Sequence, residues 1–338
     1  MPTISIALCT YNGGRFLETQ LNSLAGQTRQ PFEVVICDDG SDDDTDEIIR
    51  NFSCIAPFQV HYTKNDERLG YIENFMKATG FCQGDLISFC DQDDIWYPRK
   101  LEKLEQYFLN EDVVLAYHAV DLVDSEGVFI RKYDDRSPGR TLLPPLTGSP
   151  WIYGMGFSIM IRNVLKIGVE FSNLTFDQNI PDKPISHDQW YTFLASVLGY
   201  IAYDETSLAG YRQHSTNVVG ALKKLRPSPK NLRDKAALDA EEYGRCAGAC
   251  AGRAKILRLM CQSLSSNLRE RALAGAGKYE EMYKMFLLRN TMYQSHSVSE
   301  KFSLIKSLYD LSGYGDNKPW AFGRKAMLKD LGLLFIRA

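Results

Sequence analysis

The chain has 338 residues, of which 44% are hydrophobic, and a formal net charge of −3. This length is sufficient for a sizeable core and suits one large α/β domain with an appendage, or two domains. No stretch approaches about 18 consecutive apolar residues, which excludes a membrane-spanning helix, and the start lacks a basic region and a long apolar run, which argues against a cleaved signal peptide.

The total charge conceals two parts of opposite sign. Residues 1–220 contain 17 basic and 31 acidic side chains, a charge of −14, and residues 221–338 contain 22 and 11, a charge of +11. A carboxylate-rich front part is suited to binding cations, whereas a basic rear part is suited to an anionic surface. The eight cysteines have no zinc-ribbon spacing, and we interpret them as reduced, buried side chains of a cytosolic protein.

Strand and helix patterns alternate over the first 110 residues. Apolar and β-branched runs predict strands over residues 3–9, 32–37, 59–65 and 85–94. Amphipathic runs predict helices over 15–27, from Thr45 onward, over 71–82 and over 99–110, and Gly26 is a typical helix stop. This alternation predicts βαβ units and a parallel sheet.

Further along, the pattern becomes less regular. Residues 113–127 predict a pair of strands, 151–163 a strand, 187–199 a helix and 200–217 a strand with a polar end. The segment 134–150 holds four of the 13 prolines and predicts a long loop ordered against a site. A basic linker over 223–235, a helical region over 232–311 and an amphipathic run over 320–338 follow. The predicted domains are residues 1–220 and residues 221–338.

Four polar clusters follow predicted strands or begin a predicted helix. They are "TYN" at 10–12, "DDGSDDDT" at 38–45, "DQDD" at 91–94 and "HD" at 187–188. In open α/β sheets, ligands bind beyond the carboxyl ends of the parallel strands. We therefore expect these clusters to converge in one cleft.

The segment "DQDD" is the clearest candidate for metal chemistry. Alternation along a strand predicts that Asp91 and Asp93 point to one side of the backbone and Gln92 to the other. Two carboxylates at this spacing suit Mg²⁺ or Mn²⁺ in a site completed by substrate phosphates, and a bound cation would relieve their repulsion. The alternative is that Asp93 or Asp94 only caps the following turn and helix.

The other clusters offer polar groups with two interpretations each. Asp38 and Asp39 directly follow a buried strand and can accept hydrogen bonds from a base N–H or a ribose hydroxyl. The chain has neither a Walker motif nor GxGxxG, so metal would handle the charge of a bound nucleotide. Asp188 is either a general base or a helix cap, and His214 is either structural or a nitrogen ligand to the same cation.

Six segments follow one another in a characteristic order and spacing: "ISIALCTYNG", "VVICDDGSDDDT", "NDERLGYIENF", "DLISFCDQDDIWYPRKLEKL", "HDQWYTFLA" and "YRQHSTNVVG". In these segments the chain resembles the family 2 glycosyltransferases of the GT-A fold, an α/β fold with a mostly parallel sheet flanked by helices. The similarity is greatest to the bacterial rhamnosyltransferase-like branch, which builds cell-surface polysaccharides. It covers residues 3 to about 220 and leaves a C-terminal helical appendage outside.

The resemblance implies inverting transfer of a sugar from a nucleoside-diphosphate sugar to a saccharide or lipid-linked acceptor. The motif matches imply Thr10, Tyr11 and Asn12 against the base and ribose, Asp39 on the pyrimidine N3–H, Asp91 toward the ribose, Asp93 on Mg²⁺ or Mn²⁺, and Asp188 as the base that deprotonates the acceptor. His187 stands in place of the family's Glu, so no role transfers to it. The Q-x-x-R-W signature of processive members is missing, which favours single or few-step addition. The expected donor is dTDP-rhamnose, with a UDP-hexose second.

Two other functions remain open. One is a nucleotidyltransferase acting on sugar phosphates, although "TYNGGR" is a poor glycine-rich loop, and the other is a non-catalytic relative that binds nucleotide sugars. The basic rear region either packs on the catalytic domain or on a second subunit of a homodimer, or it contacts the anionic inner face of the plasma membrane. We expect a cytoplasmic location, with or without this peripheral contact, and no nucleic-acid partner.

Overall fold

The computed structural model describes residues 1–133, 141–148, 151, 154–180, 182–214, 232–315 and 318–335. The chain folds into two compact units. Unit 1 comprises Met1–Pro145, Trp151–Val169 and Ser186–Lys223, and unit 2 comprises Leu146–Pro150, Glu170–Ile185 and Lys224–Ala338. The predicted boundary between residues 220 and 221 lies outside the described residues, as do most of the predicted linker and part of the predicted loop over 134–150.

Within the described residues, unit 1 contains one ten-stranded sheet. Its strands are β1 (Ile4–Thr10), β2 (Glu33–Asp38), β3 (Gln59–Lys64), β4 (Leu86–Asp91), β5 (Ile95–Trp96), β6 (Val113–Val123), β7 (Phe129–Lys132), β8 (Leu142–Leu143), β9 (Ile159–Arg162) and β10 (Tyr200–Arg212). The order is β3-β2-β1-β4-β9-β6-β10-β5, with β7 paired to β6 and β8 to β10. The first four strands are parallel, as predicted, and β9 runs antiparallel between β4 and β6.

Helices cover both faces of this sheet, which confirms the predicted α/β fold. The described helices of unit 1 are α1 (Gly14–Ala25), α2 (Thr45–Ser53), α3 (Tyr71–Phe81), α4 (Lys100–Glu105) and α5 (His187–Leu198). On one face, Leu8 of β1 packs in a cluster with Leu21 of α1. On the other, the Phe89 ring of β4 contacts the rings of Phe75 in α3 and Tyr191 in α5. Burial on both faces explains why the strands read as continuous apolar runs.

The structure differs from the prediction in several elements. Strand β4 ends at Asp91, and residues 92 and 93 form a turn, so the strand alternation predicted for Asp91 and Asp93 does not hold. Residues 113–127 hold one long strand, β6, rather than a pair, and its hairpin partner β7 follows the turn. That turn is closed by Asp124, whose Oδ1 accepts hydrogen bonds from the N–H groups of Glu126 and Val128, both at 2.9 Å. The predicted helix over 99–110 is also shorter, because α4 ends at Glu105 and a 3-10 turn follows.

Unit 2 is helical, as the sequence predicts for residues 232–311. Its described helices are α6 (Leu232–Met260), α7 (Ser266–Gln294), α8 (Val298–Asp310) and α9 (Gly323–Gly332), and α6 packs along α7. Gly252 of α6 lies so close to another segment that a Cβ there would come within 2.1 Å of the Leu174 carbonyl oxygen. Over the part of the chain that is described, each helix is too short or too polar to cross a bilayer.

A buried ion pair joins α7 to α9 in unit 2. Arg289 Nη2 donates to Asp330 Oδ1 at 2.6 Å, and the hydroxyls of Tyr293 and Tyr314 donate to Asp330 Oδ1 and Oδ2 at 2.9 and 2.7 Å. The Arg289 guanidinium also lies over the Tyr243 ring, 4.2 Å from its centroid. Asp330 is fully buried, so both of its oxygens are paired where water cannot reach them.

Candidate active site

The carboxyl ends of three neighbouring parallel strands meet at one edge of the sheet in unit 1. Cys9 of β1 is paired with Cys37 of β2 and with Asp91 of β4, so the residues that follow these strands are brought together. The first-strand motif, Asp38–Asp39 and the acidic motif therefore share this edge. The fourth cluster joins them, because the charge of Asp188 is one of the causes that raise the pKa of Asp91.

The loop after β1 is tied to the loop after β2 by side chains. Thr10 Oγ1 donates to Asp38 Oδ1 at 3.1 Å, and the Asn12 N–H donates to Ser41 Oγ at 2.8 Å. Asn12 Oδ1 accepts from the Asp42 N–H at 3.0 Å, and its φ of 48° lies in the left-handed region that asparagine tolerates. Thr10 and Asn12 thus hold the two loops in register through their own hydrogen bonds.

Asp39 is buried, and its carboxylate is occupied by the loop that precedes α3. Its Oδ1 accepts from the Leu69 N–H at 2.7 Å, and its Oδ2 accepts from the Gly70 N–H at 2.8 Å. In the same loop, the Arg68 guanidinium lies over the ring of Tyr11, 3.7 Å from the centroid. A ligand N–H bound at Asp39 would therefore share or replace contacts that this loop makes.

The acidic motif at the end of β4 concentrates negative charge in a partly buried place. Burial raises the pKa of Asp91 well above the usual carboxyl range, and the charges of Asp93 and Asp188 raise it further. Burial is also the main cause that raises the pKa of Asp94, which is fully buried. Carboxylates gathered in this way attract a cation, and their mutual repulsion costs free energy when no cation is bound.

Asp94 does not cap a helix, contrary to one sequence-based alternative. Its Oδ1 accepts from the Arg212 N–H at 3.1 Å, and its Oδ2 has no hydrogen-bond partner among the described residues. Helix α4 begins at Lys100, and its N-cap residue, Arg99, makes no side-chain capping hydrogen bond. Neither Asp94 nor Asp93 is the cap of this helix, because the motif is separated from it by β5 and a turn.

Asp93 and His214, the two predicted metal ligands, are in direct contact. His214 Nε2 lies 2.8 Å from Asp93 Oδ2. A carboxylate oxygen and an imidazole nitrogen are both donors that Mn²⁺ accepts, and the crowded charge of the motif favours a cation. Among the described residues, no three His, Cys, Asp or Glu side chains are placed to hold a metal ion together. The pair therefore fits a cation whose remaining ligands come from outside the protein, as phosphate oxygens would.

Asp188 lies in the first turn of α5, half-buried beside the acidic motif. Its Oδ1 accepts hydrogen bonds from Ser186 Oγ and from the Gln189 N–H, the latter at 2.9 Å. Its Oδ2 has no hydrogen-bond donor among the described residues. One oxygen is thus fixed by the protein, and the other is left to accept a proton or a hydrogen bond from a ligand.

His187, for which the sequence indicated no role, is a packed aromatic side chain. Its ring stacks on Phe75 with centroids 4.0 Å apart, and neither ring nitrogen has a partner among the described residues. Burial lowers its pKa to about 4. Gly156 lies so close that a Cβ there would come within 2.4 Å of His187 Nε2. The neutral imidazole therefore supports the start of α5 by packing.

Two basic residues that the motif search missed lie behind the acidic motif. Arg212 Nε donates to the Asp93 carbonyl at 2.8 Å. Lys100 is fully buried, and its Nζ donates to the Phe157 carbonyl at 2.5 Å. Burial lowers the pKa of Lys100 to about 7, while Asp91 is among the groups that raise it. One sequence signal was available, because Lys100 precedes the core residue Leu104 by four positions and so shares its helix face.

The proteins to which this chain is similar include several glycosyltransferases. The model of the family described as "Glycosyl transferase family 2" matches residues 5–168. An uncharacterised glycosyltransferase of Nostoc sp. is 27% identical over 225 residues, 63% of this chain and 66% of that protein. TuaG of Bacillus subtilis, named as a teichuronic acid biosynthesis glycosyltransferase, is 26% identical over 132 residues, 39% of this chain and 52% of that protein. The matches thus span less than two thirds of the length of these curated relatives.

Among solved structures, Staphylococcus aureus TarS is similar over most of the chain. TarS 1–349 in complex with UDP-GlcNAc has a TM-score of 0.48 and 15% identity, and the match covers 93% of each chain. The complex of the same fragment with UDP has a TM-score of 0.46 and 15% identity, with 94% of this chain and 88% of that chain covered. Likeness at this level is too distant to bear on ligands or mechanism.

Proposed function

We propose that unit 1, whose residues 5–168 match the model of glycosyl transferase family 2, transfers a sugar from a nucleoside-diphosphate sugar to an acceptor hydroxyl with inversion. One observation carries this proposal. Asp91, Asp93 and Asp188 come from two separate elements and share one edge of the sheet, where Asp188 is near enough to raise the pKa of Asp91. At this edge, a cation held by the acidic motif could stabilise the leaving group while Asp188 removes the proton from the acceptor.

On the donor side, we propose that Asp93 Oδ2 and His214 Nε2 hold Mg²⁺ or Mn²⁺. The cation would supply charge stabilisation to the departing diphosphate. Asp91, two residues earlier at the end of β4, would face the ribose. Tyr11 and Asp39 would contact the base, with Thr10 and Asn12 holding their loops in place through the hydrogen bonds to Asp38 and Ser41. These roles follow the family's motifs, and the shared sheet edge supports them.

On the acceptor side, we propose that Asp188 is the general base. The acceptor oxygen attacks the anomeric carbon, the bond from that carbon to the diphosphate oxygen breaks, and the acceptor proton passes to Asp188 Oδ2. The hydrogen bond from Ser186 Oγ fixes Oδ1 and so orients the carboxylate. The diphosphate leaves as an anion, so no second protein carboxylate is needed as an acid.

We further propose that the donor is dTDP-rhamnose or a UDP-hexose and that the product enters a cell-surface polysaccharide, through a saccharide or lipid-linked acceptor. The name of the Bacillus subtilis relative, which refers to teichuronic acid biosynthesis, supports the polymer class. The rhamnose assignment rests on the sequence resemblance to the rhamnosyltransferase-like branch.

A donor panel tests the proposed function. UDP-, dTDP- and GDP-sugars are screened by thermal shift with and without Mn²⁺, and the hits are followed by proton NMR with saccharide acceptors. We expect stabilisation by a pyrimidine nucleotide sugar with Mn²⁺, release of the nucleoside diphosphate, and an inverted anomeric centre. Consumption of a nucleoside triphosphate with a sugar 1-phosphate would instead indicate a nucleotidyltransferase. Binding without turnover would indicate a non-catalytic relative, and a retained anomeric centre would refute the displacement.

For the C-terminal region, we propose contact with an anionic bilayer. Residues 221–338 carry 22 basic and 11 acidic side chains. On α8, Val298, Phe302 and Tyr309 are 58%, 59% and 68% exposed, and their spacing places them on one stripe beside the exposed Lys306. Exposed apolar side chains next to cations suit the surface of an anionic membrane.

Vesicle binding tests this contact. The full chain and a Phe302→Ser/Tyr309→Ser variant are sedimented with vesicles of neutral phosphatidylcholine alone or with anionic phosphatidylserine. We expect the wild type to bind only the anionic vesicles and the variant to bind several-fold less. Equal binding by the two proteins would refute the contact. The wild type could instead fail to bind vesicles and form a dimer in analytical ultracentrifugation, while the variant is a monomer. That result would refute the membrane contact and assign the stripe to contact with a second subunit.

A further inference from the structure

Gln92, the second residue of the acidic motif, holds the first-strand loop by two hydrogen bonds. The Tyr11 N–H donates to Gln92 Oε1 at 2.9 Å, and Gln92 Nε2 donates to the Tyr11 carbonyl at 3.1 Å. A primary amide is the side-chain group that can both donate to and accept from one peptide unit in this way. Gln92 lies in the turn that follows β4, and its side chain binds the neighbouring loop from there.

The adjoining glycine is fitted to this contact. A Cβ at Gly13 would lie 2.3 Å from Gln92 Oε1 and 2.8 Å from its Cδ, and the next nearest atom is Gln92 Cβ, at the ordinary contact distance of 3.5 Å. Gly13 has φ −96° and ψ 0°, a backbone conformation that alanine can adopt. The need for glycine at this position therefore comes from the Gln92 side chain, not from the local backbone.

We propose that Gln92 is a positioning residue that locks the Tyr11 loop to the acidic motif, so that the nucleoside and diphosphate ends of the donor meet a preformed site. The inference rests on the proposed function, in which Tyr11 contacts the nucleoside and Asp93 the cation. Gln92 touches neither part of the donor in this role. It acts by fixing the distance between the two loops that do, which lowers the ordering required on binding.

Local exchange in the free protein tests the clamp without any ligand. Gln92→Met preserves side-chain length and removes both hydrogen bonds. We expect the Tyr11 amide to exchange about tenfold faster or more in this variant, with an unchanged melting temperature. Gln83→Met, at an exposed position of the same unit, is the matched control and should leave this exchange unchanged. An unchanged Tyr11 exchange rate in Gln92→Met would overturn the clamp.

Nucleotide binding tests the positioning role. UDP and dTDP, each with Mn²⁺, are titrated by calorimetry into the full chain and its variants. We expect Gln92→Met to raise the Kd of the nucleotide that binds wild type by about tenfold, the equivalent of two neutral hydrogen bonds. If Gln92→Met binds the nucleotide as tightly as wild type, the positioning role is refuted, whereas the clamp and the proposed function are not. Absence of nucleotide binding by wild type would overturn it together with the proposed function, and the exchange result would still report whether the clamp exists.

A double-mutant cycle separates this role from a general structural one. Gly13→Ala alone should raise the Kd by about tenfold, because its Cβ displaces the Gln92 amide. The Gln92→Ala background removes the two contacts shorter than 3.0 Å and leaves the 3.5 Å distance to Cβ, which is ordinary. Adding Gly13→Ala there should therefore change the Kd by less than about twofold. Additive effects of the two substitutions would show that Gly13 matters for a reason other than Gln92, and would contradict the inference.

Discussion

Two buried acidic sites in this chain, one in each unit, are built in opposite ways. In unit 2, Asp330 is fully buried and receives hydrogen bonds from Arg289, Tyr293 and Tyr314. In unit 1, the carboxylates of the acidic motif and Asp188 lie close enough for one to raise the pKa of another. A carboxylate surrounded by donors is fitted to hold a structure together, whereas like charges gathered at a strand end are fitted to receive something positive or protic.

The largest effect is expected from Asp188→Asn. The substitution keeps an Oδ1 acceptor for Ser186 but removes the proton acceptor, so we expect transfer to slow by roughly 10³-fold. Nucleotide affinity should stay within about twofold of wild type. Rates are measured by NMR and affinities by calorimetry, with Asp66→Asn as an exposed control. If rate and affinity fall together, Asp188 is structural and the contrast between the two acidic sites disappears.

The next effect is expected from Asp330→Ala. Removing one partner leaves the Arg289 guanidinium buried without its counter-charge, so we expect the free energy of unfolding to drop by about 3–5 kcal/mol. Denaturant unfolding at neutral pH measures it, with Asp310→Ala at an exposed position of the same unit as the control. A decrease of less than about 1 kcal/mol would mean that the Arg289–Asp330 pair stabilises the fold no more than a surface ion pair does. The contrast between the two acidic sites would then be lost.

His187 extends the comparison to a buried base without a partner. Its pKa is about 4 in the folded chain, because burial disfavours the charged ring, against about 6.5 in the unfolded chain. Between these values the unfolded state binds more protons, so stability falls as pH drops from about 6.5 and levels off below about 4. We expect the total decrease in the free energy of unfolding over this pH range to reach roughly 3 kcal/mol.

Unfolding of wild type and His187→Leu at several pH values between 4 and 7 measures the contribution of this ring. The leucine variant should lose this part of the pH dependence, because leucine cannot bind a proton. If unfolding free energy depends on pH in the same way for the two proteins, His187 binds a proton as readily in the folded chain as in the unfolded chain. His296→Leu, at an exposed position, serves as the control.

The smallest stability effect is expected from Asp94→Asn, which sharpens the contrast within the acidic motif. Asparagine retains an acceptor for the Arg212 N–H and removes the buried charge, so we expect a change in unfolding free energy within about 1 kcal/mol and retained transfer.

Asp93→Asn should instead lower Mn²⁺-dependent transfer by about 10²-fold. Equal loss of transfer in both variants would show that the motif acts as a whole and not through Asp93.

Much of unit 1 could be predicted from local pattern. Runs such as residues 3–9 are apolar on both faces, and β1 is buried at every position. Helix α1 follows the periodicity of its leucines and ends before Gly26, as expected. The pair of strands predicted over 113–127 was wrong because a polar turn held by Asp124 follows the apolar run and does not interrupt it.

The sequence allowed us to predict which residues form the candidate site, but not which contacts they make. The sequence places Asp39, Asp93 and Asp188 at strand ends or at a helix start, since those positions depend on short-range periodicity. It does not reveal that Asp39 receives the N–H groups of residues 69 and 70, or that His214 lies against Asp93 from 121 positions away.

The sequence by itself thus determined the alternation of strands and helices, the α/β class and the positions of the acidic clusters, because each depends on neighbours within a few residues. Only the tertiary structure decided that Gln92 grips Tyr11 across 81 positions, that Lys100 is buried behind the motif, and that Glu170–Ile185 belongs with unit 2. Those outcomes depend on which distant segments the fold brings together, because hydrogen bonds and desolvation between them arise only when the chain folds.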